Sequence, residues 1–143
     1  MTDLLAQPFP DIELVLLDFL AAIPDAQVVT ATGDTLTGRV IQVERVGGND
    51  DGITDAPRVR LRCYGTTRPD AWRLARDAQA LLLRHGASTL ITGPETAAEY
   101  PRGVQLDVVS TATPPRQAPE GTATRSVRVV DTTYEIQLRR PWW

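Results

Sequence analysis

From Arg58 to Tyr64 the chain alternates without a fault: Val59, Leu61 and Cys63 interleave with Arg58, Arg60 and Arg62. A helix cannot sort such a run onto two faces, whereas an extended strand does, because successive side chains point to opposite sides. The segment is therefore expected to be a strand with one face on a core and the other among polar groups. Two more stretches carry the same period. Between Leu36 and Val46, Ile41 and Val43 fall on one side and Gln42 and Glu44 on the other. Between Ser126 and Arg139, Val130, Tyr134, Ile136 and Leu138 oppose Asp131, Glu135, Gln137 and Arg139. Val28-Val29-Thr30, Thr89–Thr92 and Val104–Val109 read as shorter strands, with turn residues at Thr32-Gly33-Asp34-Thr35 after the first.

Helical spacing appears twice. Asp11 to Ala22 opens with Pro10 and Asp11 and is closed by Pro24, which pushes residue 23 out of helical geometry. Only Asp11, Glu13 and Asp18 interrupt its apolar residues, a wider stripe than one sheet face requires. Two readings fit: a helix wedged deep in one core, or a helix that meets its own sheet and a neighbouring subunit. The second helix is predicted from Pro69 to about His85. Thr67 and Asp70 supply a capping-box-like start, and Gly86 is the expected stop. Ala71, Leu74, Ala75, Ala78, Leu81 and Leu82 make its apolar face.

A length of 143 residues suits a single domain. One cysteine, Cys63, and one histidine, His85, exclude a disulfide framework and paired-histidine or cysteine metal cages, so no metal or cofactor is expected. There is no GxSxG elbow and no GxGxxG after a strand, and without lysine there is no phosphate-cradling GxxxxGK[ST]; no catalytic residue is assigned. The longest apolar run, Leu14 to Leu17, is too short to span a bilayer, and the acidic start Met1-Thr2-Asp3 does not resemble an export signal. All fifteen basic residues are arginines, which fits either codon usage or a protein rich in interfaces. The net charge of -3 argues against a generic nucleic-acid binder.

Three features are left for interaction. Arg58, Arg60 and Arg62 form a row that Glu44 and Glu135 on other strands can neutralise; it is otherwise a subunit contact or a nucleic-acid surface, though only Tyr64 supplies an aromatic. Gly47 to Pro57 contains Asn49, Asp50 and Asp51 and is expected to project as a mobile loop, as is Pro114 to Arg125. The end Arg139-Arg140-Pro141-Trp142-Trp143 either folds back onto the domain or anchors a partner.

The order of these parts carries a resemblance. The helix PDIELVLLDFLAAI, the segment VERVGGNDDGITDAPRVRLRCYG, the helix DAWRLARDAQALLL and the closing strand VRVVDTTYEIQLR together resemble the tail terminator proteins of long, non-contractile-tailed bacteriophages, actinobacteriophage type. The resemblance implies an α+β fold of lambda-type terminator character: a mostly antiparallel sheet with two helices packed on one face, assembling as a ring. It further implies a structural virion protein and not an enzyme. Six copies would cap the tail tube at the tail–neck junction after assembly in the host cytoplasm. They would contact the major tail tube protein and a head-closure or neck connector protein, with DNA passing through the lumen unread and no membrane involved. A ring needs two unlike, complementary patches per subunit. The candidates are Leu14, Leu17 and Asp18 on helix one, Asn49, Asp50 and Asp51, the row Arg58, Arg60 and Arg62, and Arg139, Arg140, Trp142 and Trp143. Another neck component and an Arg-rich nucleic-acid-binding module stand as alternatives.

Overall fold

A computed structural model describes residues 9–31, 38–85, 88–117 and 128–139, with backbone alone for His85 and Arg139. The expected turn at Thr32–Thr35, the stop at Gly86, the span 118–125, and Arg140, Trp142 and Trp143 lie outside the described residues. The elements run α1 (Ile12–Leu20), β1 (Gln27–Val29), β2 (Val40–Asp50), β3 (Thr54–Gly65), α2 (Arg68–His85), β4 (Thr89–Ile91), α3 (Pro94–Ala97), β5 (Val104–Gln117) and β6 (Arg128–Arg139). Among the described residues the architecture is α+β: one curled six-stranded sheet in the order β1-β2-β3-β6-β5-β4, and three helices rather than two. Only β1 and β2 run parallel; every other pairing is antiparallel.

β3 lies between β2 and β6, and its alternation decides where everything else goes. Val59, Leu61 and Cys63 are buried completely, facing Ile41 and Val43 of β2 and Val130, Tyr134, Ile136 and Leu138 of β6 in one continuous core. Both long helices close that core. α1 supplies Ile12, Val15, Leu16 and Leu20, and α2 supplies Ala71, Leu74, Ala75, Ala78 and Leu82. The small alanines on α2 let the helix approach the sheet closely, and the leucines fill what remains. The helix starts follow the expected chemistry. The Asp11 carboxylate accepts from the Glu13 amide at 3.0 Å, and Thr67 Oγ1 accepts from the Asp70 amide at 3.3 Å. The Asp70 carboxylate meets Thr66 Oγ1 at 3.5 Å, a departure from a strict capping box.

The expected loop at 47–57 is instead the far half of a hairpin. β2 and β3 stay paired out to Asp50 and Asp55, leaving only 51–53 as the turn. A bulge after Arg45 makes this extension fit: Arg45 pairs with Val59 but Gly47 with Arg58, so Val46 is the extra residue and turns outward. Gly48 takes a φ of +96°, and a Cβ there would run into the Ala56 carbonyl, so the bulged ladder needs glycine. The second expected loop also shortens, because residues 114–117 belong to β5.

Replacing Leu74 by alanine empties a fully buried site between helix and sheet. The expected loss is about 2–5 kcal/mol, read as a lower urea midpoint at unchanged slope.

Candidate functional site

The row of arginines faces away from the helices, and its neighbours neutralise it. Arg60 Nη2 reaches Glu44 Oε2 at 2.7 Å, Arg62 Nε lies 3.5 Å from Asp131 Oδ1, and Arg58 Nη2 lies 3.8 Å from Glu135 Oε2. The register explains the choice: Glu44 is the β2 partner of Arg60, while Asp131 and Glu135 are the β6 partners of Arg62 and Arg58. The sequence pointed to Glu44 and Glu135; Asp131, the most buried of the three acids, emerged only with the strand pairing. At the end of this face Tyr64 packs with Val40 and Val129 and donates its hydroxyl to Gln42 Oε1 at 3.0 Å. Burial pushes the Tyr64 phenol up, opposed by the Arg62 charge. On the core side, burial pushes the Cys63 thiol up to about 12, helped by the Asp131 charge, and raises Tyr134 as well. Cys63 is therefore a neutral core residue, not a nucleophile.

All three carboxylates on and before α1 work inside the molecule. Asp11 caps the helix, and Glu13 Oε2 accepts the Arg45 amide at 3.0 Å beside the bulge. Asp18, a candidate for a subunit contact, accepts from the Thr96 and Glu95 amides at 2.6 and 3.3 Å, capping α3 across the fold. Gly93 leaves the room for that carboxylate, since a Cβ there would collide with it. Leu14 and Leu17 remain partly exposed and outside the core, whereas Phe19 packs against it.

The hairpin end is held by a fork of hydrogen bonds that the sequence did not announce. Arg45 Nη1 and Nη2 meet Asp55 Oδ2 and Oδ1 at 2.8 and 2.9 Å, and Arg45 Nε donates to the Gly47 carbonyl at 3.2 Å. Asp55 is only 2% exposed, so this pair fixes the base of the hairpin. At the tip, Asp51 Oδ1 accepts the Thr54 and Ile53 amides at 2.6 and 2.9 Å, and Asp50 Oδ1 accepts the Gly52 amide at 3.0 Å. Those donors hold the Asp51 carboxyl below its usual 3.8, with Thr54 the larger cause. Asn49 is exposed on the same end, and Ile53, in the turn, is 71% exposed.

A second surface was not singled out in the sequence. Along the first half of α2 an open groove of about 480 Å³ is lined by Arg68, Trp72, Arg73, Arg76 and Asp77, with Pro69 at its end. The Arg68 guanidinium sits 5.6 Å from the Trp72 ring centre, and Asp77 is drawn to Arg39 at 3.6 Å. The signal was the charged side of an amphipathic helix, which in sequence looks like any solvated face. Among the described residues no group of three or more His, Cys, Asp or Glu side chains is arranged to hold a metal, and no helix is long and apolar enough to cross a membrane.

The described fold is a mixed sheet with one face covered by helices and the other carrying paired ionic side chains. The family model for phage tail termination proteins matches residues 8–142, and the chain belongs to that family. It is thus a structural protein of a bacteriophage tail, and the family is not an enzyme class. No curated protein matches the sequence. A solved structure titled "Virion of native gene transfer agent (GTA) particle" aligns over 95% of this chain and 91% of its own, at 12% identity and a TM-score of 0.45.

Two measurements check the geometry. Asp55→Ala strips the Arg45 fork of its partner and is expected to cost about 1–3 kcal/mol, with Arg45→Ala similar and the double variant less than additive. Because the Asp51 pKa is depressed in the folded tip, its support is present above the ordinary carboxylate pKa and lost as pH falls through the lowered value. The Ile53 and Thr54 amide resonances should therefore shift at a pH below 3.8.

Proposed function

We propose that this protein ends the tail: six copies close into a ring of lambda-type terminator architecture on the finished tail tube. The ring stops further addition of the tube protein and offers its other side to the head-closure or neck connector protein at the tail–neck junction. The observation that carries this reading is the family match over nearly the whole chain. The surfaces support it. A ring requires two unlike patches on each subunit. This fold leaves an acidic hairpin end with an exposed isoleucine, an arginine-lined groove on α2, and the partly exposed Leu14 and Leu17 on α1. Asn49, Asp50, Asp51, Leu14 and Leu17 are the contacts assigned to this assembly; Asp18 serves it indirectly by fixing α3 against α1.

Arg58, Arg60 and Arg62 give register within the subunit, and their pairing with acids argues against a nucleic-acid surface on that face. DNA then passes the lumen without being read. Particles assembled without this protein are expected to carry overlong tails in electron micrographs. Tails of normal length that fail to join heads would transfer the assignment to another neck component.

A further inference from the structure

The hairpin tip and the α2 groove are complementary in charge and in apolar content, yet one copy cannot bring its own pair together. The tip offers Asp50 and Asp51 flanking an isoleucine that is 71% exposed. The groove offers Arg73 and Arg76, exposed and without a carboxylate partner among the described residues, beside the partly exposed ring of Trp72. A hydrophobic side chain ringed by two acids suits an aromatic floor ringed by arginines, and the groove is large enough for a side chain of that size. β3 separates them: Thr54 to Gly65 is roughly 35 Å of extended chain, and the groove begins at Arg68, just past its far end. The Arg45–Asp55 ion pair and the pairing of Thr54 and Asp55 with Arg139 and Leu138 of β6 fix the turn in the sheet at that end.

We infer that the acidic hairpin tip of one copy docks into the arginine–tryptophan groove on α2 of the next. This rests on the ring reading and gives it its head-to-tail contact: tip and groove are different patches, so each copy uses one of each and the contact propagates until it closes. Ile53 enters against Trp72, while Asp50 and Asp51 meet Arg73 and Arg76. The ion pairs set register and salt dependence, and the apolar contact holds the joint once formed.

The test uses the full chain, assembled in solution or in purified tails. Arg73→Glu with Arg76→Glu, or Asp50→Arg alone, should weaken self-association by roughly tenfold or more in sedimentation. Combining all three substitutions in one chain sets one tip arginine against the two groove glutamates, with Asp51 still acidic, and should recover part of the loss. Ile53→Cys with Arg73→Cys, in a chain whose one native cysteine is buried, should give an oxidised ladder of covalently linked copies. If the wild-type chain assembles but the reversals change nothing and no ladder forms, this contact is wrong while the ring stands. If the wild-type chain assembles neither in solution nor in tails, the ring reading itself falls. If Arg73→Glu with Arg76→Glu abolishes retention of a duplex DNA probe and leaves assembly intact, the groove is a phosphate site and the docking is overturned.

Discussion

Everything in this fold is arranged around a strand that must satisfy two incompatible faces at once. β3 puts three aliphatic or thiol side chains on one side and three guanidinium groups on the other, in the centre of the sheet. The apolar side contributes the stability, since burial under α1 and α2 removes it from water. The charged side contributes little directly, because partly exposed ion pairs are worth at most about 1 kcal/mol each. Its importance is that an unneutralised row of like charges would oppose the fold. Glu44, Asp131 and Glu135 remove that penalty and pin the registers of the two neighbouring strands.

The polar residues of α1 illustrate how little of this protein's charge is ornamental. Asp11, Glu13 and Asp18 look like interruptions of an apolar helix, yet they cap α1, take the β2 amide at the bulge and cap α3. The apolar surface that α1 leaves outside the core is therefore narrow: Leu14 and Leu17, not the entire helix. The bulge has a comparable effect on the hairpin. By adding Val46 to one strand only, it accompanies the turn of the Arg45 guanidinium onto Asp55, while Thr54 and Asp55 stay paired with Arg139 and Leu138 of β6 up to the turn. Polar groups held on such rigid supports lose less ordering entropy in any contact they make.

The strand faces were legible because alternation depends only on chain geometry: the partition predicted for Ile41 and Val43, for Val59 to Cys63 and for Val130 to Leu138 is the partition observed. The Thr67 cap and the buried face of α2 were legible for the same local reason. The hairpin was not. Glycines and acids between residues 47 and 57 have loop composition, and only pairing with a partner strand makes them a bulged ladder. Residues 114–117 were missed likewise, since prolines in the sequence obscured an edge-compatible strand.

The amino-acid order alone determined which segments would be extended or helical, which side of each would be apolar, and the family resemblance, because these follow from local periodicity and near-neighbour chemistry. Tertiary structure decided who pairs with whom. It chose Asp131 for Arg62, Asp55 for Arg45 and the α3 amides for Asp18, and it set the acidic tip and the α2 groove at opposite ends of one strand. Those outcomes depend on strand register and on contacts between residues far apart in sequence, which no local pattern encodes.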